Sequence, residues 1–151
     1  MLILKIDSRE QAPLQFRKEA FDEIIVEGLP FGDYWAELDG KELPLIIERK
    51  SLGDLFGTMG SGYKRFKKEM LKAKEAKAHM ILGIEANMRQ IAAGYEHSTI
   101  SGDSILKKLA MLRVRHDIEV AFFNSKRELA RWIEELFGAC KRNYEKIKEE
   151  E

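Results

Sequence analysis

The chain has 151 residues, enough for one domain with its own core, and 44% of them are hydrophobic, which is ordinary for a globular protein. Its 26 basic and 26 acidic residues cancel, which argues weakly against nucleic-acid binding driven by net charge alone. A single cysteine, Cys140, excludes an intramolecular disulfide, and no apolar run is long enough for a signal peptide or a membrane span, so we expect a cytoplasmic protein.

The N-terminal half has the pattern of a sheet. Short apolar or alternating runs predict strands at residues 2–6, 24–26, 33–38 and 44–49. Asp39-Gly40 is a strong signal for a hairpin turn between the last two. The consecutive apolar residues 45–47 are typical of a strand inside a sheet. Ser51 is suited to cap a short helix that follows.

In the second half, helices alternate with strands. Further buried strands are predicted at residues 80–84 and 118–123. Helices are predicted from residue 63 to about 78, at 104–116, and after Ser125 to the end, with fraying over about residues 141–151. The apolar stripe predicted for the last helix is Leu129, Ile133, Leu136, Cys140, Tyr144 and Ile147. This order of elements indicates one α/β domain over residues 1–151, a central mixed β-sheet flanked by α-helices.

Three acidic residues stand at the ends of predicted strands. Asp7 ends the first strand, Asp33 begins the hairpin, and Glu48 lies near its end. Side chains at i and i+2 of a strand share a face, so Lys50 points the same way as Glu48, while Arg49 points away. Pairing in the hairpin can bring Asp33 level with Glu48. We therefore expect a cluster of two or three carboxylates with one ammonium group.

Such a cluster suits a metal ion. Crowded carboxylates repel unless a cation lies between them, and oxygen-only ligands favour Mg²⁺ or Mn²⁺ over zinc. A cation of this kind activates water and stabilises a leaving oxyanion, as phosphodiester cleavage requires. Lys50 could orient the water or neutralise charge on the phosphate. A lone Glu-x-Lys is common at solvated strand ends, so the whole pattern from Asp33 to Lys50 carries the hypothesis.

The charges are unevenly distributed along the neutral chain. Residues 1–60 hold 7 basic and 12 acidic residues, whereas residues 61–116 hold 12 basic and 5 acidic ones. The excess of positive charge could be a solvated helix face, or it could bind phosphates beside an acidic metal site. Candidates for such DNA contacts in the first turns of the predicted helix are Lys64, Arg65 and Lys68.

The combined motif resembles the XPF-type structure-specific endonuclease family. The segments that carry the resemblance are Ile6-Asp7-Ser8-Arg9-Glu10, Gly32-Asp33-Tyr34, Glu48-Arg49-Lys50-Ser51 and Asp54-Leu55, in that order. The similarity continues through a Gly/Ser-rich link to Tyr63 and Arg65, then to Ile84-Glu85 and to residues 118–125. It covers nearly the whole chain.

The resemblance implies a restriction-endonuclease-like fold and Mg²⁺- or Mn²⁺-dependent cleavage of DNA, often branched or flapped, in repair or recombination. By position it makes Asp33, Glu48 and Asp7 metal ligands. It makes Lys50 catalytic, places Arg49 and Asp54 in support, and puts Arg9 near the phosphate backbone. Members often carry a helix-hairpin-helix module or a helicase, neither of which occurs in these 151 residues. A separate DNA-targeting or helicase chain is therefore an expected partner. Nuclease domains that resemble this one tend to pair, so a homodimer is expected as well.

Two alternatives stay open. One is another nuclease of the same broad fold, such as a restriction enzyme or a junction resolvase. The other is a non-catalytic scaffold that binds DNA or protein, against which the intact set of Asp33, Glu48 and Lys50 argues.

Two aromatic residues of the last helix, Trp132 and Phe137, lie off its predicted apolar stripe. They are expected in or near the interface of a two-fold dimer.

Overall fold

The computed structural model describes residues 1–150, which form six strands and five helices. The strands are β1 (Leu2–Asp7), β2 (Glu23–Glu27), β3 (Tyr34–Leu38), β4 (Lys41–Lys50), β5 (His79–Ile84) and β6 (Glu119–Phe122). The helices are α1 (Leu52–Met59), α2 (Tyr63–Glu75), α3 (Met88–Ala92), α4 (Gly102–His116) and α5 (Lys126–Glu150). All the predicted strands and helices are present, and most differ from their predicted bounds by a few residues. For Glu151, the expectation of a frayed end lies outside the described residues.

The six strands form one mixed sheet in the order β2-β1-β3-β4-β5-β6. Strand β3 runs antiparallel to both β1 and β4, whereas β2 pairs with β1, β5 with β4, and β6 with β5 in parallel. The parallel pairs need crossover connections. Helices supply them between β4 and β5 and between β5 and β6, whereas residues 8–22 join β1 to β2 without a helix. The structure thus confirms the predicted α/β class.

The hairpin between β3 and β4 is as predicted. Leu38 pairs with Lys41, so Asp39 and Gly40 are the two turn residues, at φ of 50° and 82°. Positive φ at both positions matches the twist of the flanking strands. Pairing continues to the turn, and β4 therefore begins three residues before the predicted start at Pro44.

Helices cover both faces of the sheet. Side chains alternate along β4, so Ile46 packs into the core under α1, α2 and α4, and Ile47 packs into the core under α5. Helix α4 turns Ile105, Leu109 and Leu112 inward, as its spacing predicts. Strand β4 is thus packed against helices on both faces of the sheet, which fixes the position of Glu48 and of Asp33 opposite it.

The apolar face of α5 differs from the predicted stripe. Leu129 and Ile133 are buried, but the next core residue is Phe137, which is 0% exposed. Tyr144 and Ile147, predicted on the stripe, are 42% and 50% exposed. The expected place of Phe137 in a dimer interface is therefore wrong, because the ring is buried in the core of its own chain.

The last ten described residues stay helical, although fraying was expected there. Apart from Lys141 their side chains are exposed, so helix bonding and not core packing holds this end. Among residues 1–150, the structure has no helix both long and apolar enough to cross a membrane.

Candidate active site

Asp33 and Glu48 face each other across the β3–β4 pair. Because Tyr34 pairs with Ile47, the residue before β3 lies opposite Glu48. The Asp33 amide donates to the Ile47 carbonyl at 2.8 Å, and Asp33 Oδ2 accepts from the Arg49 amide at 2.7 Å. Hairpin pairing thus brings the two carboxylates level, as the sequence predicts.

Gly32 sets the backbone that delivers Asp33. Its φ is +72°, and a Cβ there would lie 2.5 Å from Ile46 Cγ1. Both the left-handed conformation and the lack of space require glycine. The Gly-Asp pair is therefore a structural unit, with the glycine turning the chain and the acid entering the site.

Burial makes it costly for the two carboxylates to be ionised together. Burial is the main cause that raises the pKa of Asp33 to about 6, and the charge of Glu10 adds to it. Burial, followed by the charge of Asp33, raises the pKa of Glu48 well above its usual value. Glu48 Oε2 is buried and has no hydrogen-bond partner among residues 1–150. A buried carboxylate oxygen without a partner is expected to bind a cation or a hydrogen-bond donor.

Lys50 supplies one positive charge to this pair. Its Nζ lies 3.3 Å from Glu48 Oε1, which confirms that the two side chains share a face of β4. Burial lowers the pKa of Lys50, but the charges of Glu48 and Asp33 outweigh it and the net shift is upward. The ammonium group therefore stays charged beside the carboxylates.

The donor set fits Mg²⁺ or Mn²⁺. Two adjacent carboxylates, one with an unpartnered buried oxygen, are hard ligands of the kind these ions prefer. Within residues 1–150, no three acidic, histidine or cysteine side chains lie close enough together to hold a metal. A cation here would take two protein carboxylates and fill its other positions with water and phosphate oxygens.

Divalent metal is expected to raise the melting temperature, because a ligand that binds only the folded state stabilises it. In metal-free protein, folded Asp33 has a pKa of about 6 against 3.8 ordinarily, so the folded state binds more protons between these values. The contribution of Asp33 to the free energy of unfolding therefore falls as pH rises from about 4 to 6, and stays low above that.

Thermal unfolding in EDTA at pH 5 and pH 7.5, and with Mn²⁺ at pH 7.5, measures both effects. The variant Asp33→Asn should melt no lower than wild type in EDTA at pH 7.5, with a smaller Mn²⁺ shift and a weaker dependence on pH. Equal Mn²⁺ shifts in the two proteins would contradict this assignment.

The backbone of Asp7 is bonded to that of Asp33, but the Asp7 carboxylate makes its hydrogen bonds elsewhere. Its amide donates to the Asp33 carbonyl at 2.9 Å. Its buried carboxylate accepts from Arg9 Nε at 2.8 Å and from the Leu29 amide at 2.9 Å. The structure does not bring Asp7 into a three-acid group, and its role as a metal ligand stays a prediction. Arg9 is 68% exposed, which leaves its outer side open to a phosphate.

Arg49 points away from Lys50 and is held on its far side by two acids. Its guanidinium donates to Glu85, to Glu10 Oε2 at 2.9 Å and to the Ala12 carbonyl at 2.7 Å. The pKa of Arg49 is raised, because these bonds outweigh the effect of its burial. The sequence motif indicates Arg49, but it does not indicate that Glu10 and Glu85 bind its guanidinium. The available signal was an acid directly after the apolar strand β5.

A cavity of about 370 Å³ opens next to the pair, between β4, α1 and α2. Lys50, Asp54, Arg65 and Glu69 contribute its charged side chains. The charge of Glu69 also raises the pKa of Glu48, so this helix residue faces the site. Glu69 was missed from sequence, although it is the only acid among residues 61–74.

The three predicted DNA-binding residues of α2 have different surroundings. Arg65 lines the cavity beside Lys50, whereas Lys64 and Lys68 do not. All three side chains are exposed. The helix therefore offers one cation next to the carboxylates and two further out.

A mixed sheet that presents Asp33, Glu48 and Lys50 at adjacent strand ends has the architecture of the restriction-endonuclease-like fold. The sequence profile of the ERCC4 domain matches residues 6–136, and the chain belongs to the ERCC4 domain family. The resemblance drawn from the motifs is thereby confirmed.

Two solved structures show the same fold. XPF from Aeropyrum pernix is 20% identical with a TM-score of 0.69, and the match covers 91% of this chain and 61% of that one. XPF from Aeropyrum pernix in complex with DNA is 21% identical with a TM-score of 0.70, over 95% and 66% of the two chains. This chain thus spans three-fifths to two-thirds of the length of those proteins. No curated protein matches the sequence.

Proposed function

We propose that this protein is a metal-dependent endonuclease that hydrolyses phosphodiester bonds in DNA, at branched or flapped structures formed in repair or recombination. The observation that carries the proposal is the pair of half-buried Asp33 and buried Glu48. Glu48 Oε2 has no partner among residues 1–150, and Lys50 Nζ lies 3.3 Å from Glu48 Oε1. Membership of the ERCC4 domain family and the likeness to an XPF structure that contains DNA support it.

In this proposal Asp33 and Glu48 would hold Mg²⁺ or Mn²⁺. The chemistry that such an ion supplies is polarisation of a phosphate oxygen and a lower pKa for water. Asp33 is aimed by the Arg49 amide, and Glu48 lies fixed in the centre of the sheet. Because both carboxylates are held before substrate arrives, little reorganisation is needed in the transition state.

Lys50 is proposed to stabilise the negative charge that develops on the phosphate. Its ammonium group lies at the wall of the open cavity, where a phosphate can approach it. Asp54, in the first turn of α1, and Arg65 line the same cavity and would set its charge balance. Arg49 is proposed to position Asp33 through its amide, since its own side chain is bound elsewhere.

Cleavage assays with Mn²⁺ on flap, fork, four-way-junction and linear duplex DNA test this function. We expect cleavage of branched DNA and none in EDTA. Cutting of linear duplex alone indicates a restriction-type enzyme, and cutting of four-way junctions alone indicates a resolvase. DNA binding without cleavage of any substrate, across both Mg²⁺ and Mn²⁺, would leave the non-catalytic scaffold.

Neutralising Lys64, Arg65 and Lys68 together is expected to weaken binding to any DNA and to flatten its salt dependence. Each phosphate contact contributes about −0.9 to the slope of log K against log[salt] for duplex DNA. Fluorescence anisotropy at several salt concentrations measures the slope. An unchanged slope in the triple variant would move the phosphate contacts off this part of α2.

A homodimer is also proposed, through the outer side of α5. Trp132 is 43% exposed and lines a groove of about 810 Å³ together with Phe16 and Phe123. Clustered aromatic rings at a surface are typical of interfaces. Light scattering at micromolar concentration should give twice the monomer mass, and Trp132→Ala should lower it. A monomeric mass for wild type, with and without DNA, contradicts the proposal.

A separate DNA-targeting or helicase chain is a further proposed partner.

A further inference from the structure

A second basic surface lies on the flank of α2 that faces away from the active-site cavity. The buried residues of α2 are Phe66, Met70 and Ala73. At about 100° per residue, Arg65 and Glu69 fall on one side of that buried line, and Lys67 and Lys74 fall on the other. The first flank borders the cavity beside Lys50, so the second flank belongs to a different surface.

The second flank meets the C-terminal end of α4. Lys74 and Lys77 line a cavity of about 240 Å³ together with His79 and His116. After burial, the charges of Lys67, Arg115 and Lys74 lower the pKa of His116, so these cations surround one point. We call this the α2–α4 basic surface, defined by Lys67, Lys74, Lys77, Arg115 and His116.

Its charges lack counter-ions. Within residues 1–150, no carboxylate oxygen lies within 4.0 Å of the charged groups of Lys67, Lys74, Lys77 or Arg115. The acid that lines the same cavity, Asp117, is bonded to Arg113 at 2.5 Å. By contrast, three cations next to the active site, Arg9, Arg49 and Lys50, are each paired with a carboxylate. Unpaired positive charges repel one another, so a surface on which several are clustered is suited to bind a polyanion.

Strand β5 gives the distance from this surface to the active site. It begins at His79, in the wall of the 240 Å³ cavity, and ends at Ile84, which pairs with Lys50. At roughly 3.3 Å per residue, the two places lie about 17 Å apart. That is about five base pairs of duplex at 3.4 Å each, or half a turn. The cavity end of the surface, with Lys74, Lys77 and His116, is therefore too far away to touch a phosphate bound at Asp33 and Glu48.

We propose that the α2–α4 basic surface is a second DNA contact, which binds the phosphate backbone of a duplex arm about half a turn from the cleavage site. The proposal rests on the proposed function for the choice of DNA as the polyanion. A duplex arm held at both places would cross α2, because the two places lie on opposite flanks of that helix. The surface therefore governs affinity for the substrate and leaves the chemical step to the carboxylate pair.

The test compares two triple variants that lose the same charge. Lys67→Gln, Lys74→Gln and Arg115→Gln remove the proposed contact, and Arg142→Gln, Lys146→Gln and Lys148→Gln change exposed residues of α5. Binding of a 30-base-pair duplex is followed by anisotropy in EDTA over a range of salt. The first variant should reduce the magnitude of the log K–log[salt] slope by about 2 to 3, and the second should leave it near the wild-type value.

A charge-conserving variant guards against a loss of structure. Lys67→Arg, Lys74→Arg and Arg115→Lys keep every charge and should bind like wild type. Equal slopes for the two neutralised variants overturn the proposal, and so does an unchanged slope in the first, the result expected of a site for an acidic protein. The assay needs neither metal nor cleavage, so a protein that binds here but does not cut keeps this inference and loses the proposed function.

Discussion

Replacing Glu48 by glutamine, or Asp33 by asparagine, is expected to lower the rate of DNA cleavage by about 10³-fold or more. Each change removes a ligand charge and keeps the size of the side chain. Stabilisation of the transition state by a bound cation is typically worth several kcal/mol, which corresponds to this loss of rate. Burial strengthens the case for Glu48, because its side chain is 4% exposed and its Oε2 has no partner within residues 1–150 that could replace a cation.

Single-turnover cleavage of labelled branched DNA with Mn²⁺ measures the effect. A matched control is Glu42→Gln, an exposed acid at the other end of the same strand. The control should cleave like wild type. The active-site variants should keep the wild-type melting temperature or exceed it in EDTA, because removal of one carboxylate relieves repulsion. Wild-type cleavage by either well-folded variant would show that the active site lies elsewhere.

Replacing Arg49 by methionine is expected to lower the free energy of unfolding by about 3 kcal/mol, because removal of one partner leaves buried charges uncompensated. The Arg49 side chain is 12% exposed and bonds Glu85, Glu10 and the Ala12 carbonyl. Its loss would leave two poorly solvated carboxylates and free the segment that carries Glu10. Cleavage should fall as well. The backbone amide that aims Asp33 remains, but without the side-chain bonds this part of β4 is held less firmly.

Urea unfolding of a variant series tests the network. Arg49→Lys keeps a charge but cannot make all three bonds, so it should fall between wild type and Arg49→Met. Adding Glu10→Gln and Glu85→Gln to Arg49→Met should recover part of the lost stability, because the uncompensated charges are then gone. Equal stability of wild type and Arg49→Met would mean that the network contributes nothing to folding.

The sequence was sufficient for the central part of the site, because that part is local. A two-residue turn at Asp39-Gly40 sets the register of the hairpin next to the turn. Counting outward from it brings Asp33 within two residues of its partner, and a register shift between Trp35 and Glu37 then sets it opposite Glu48. The two-residue repeat of a strand places Lys50 on the same face as Glu48. The order of strands and helices follows from apolar runs in the same way. No distant contact had to be known for these predictions.

Other features depended on contacts between distant segments. The Asp7 carboxylate is bonded to Arg9 and to the Leu29 amide, a contact across 22 residues that no local pattern contains. Glu69 faces the site only because α2 packs against β5, the strand next to β4, and the sequence does not indicate which flank of that helix lies toward the site. The sequence does show that Glu69 is the only acid among residues 61–74, but not which way its side chain faces.

The last helix shows the same division at a single position. After Leu129 and Ile133, a step of three residues reaches Leu136 and a step of four reaches Phe137, and both steps are compatible with a helix. The sheet decides between them, because Phe137 reaches the core beneath it and is fully buried. Beyond that point the helix has no sheet to cover, so Tyr144 and Ile147 are exposed. Periodicity determines which residues share a face, and only tertiary packing determines which face is covered and how far.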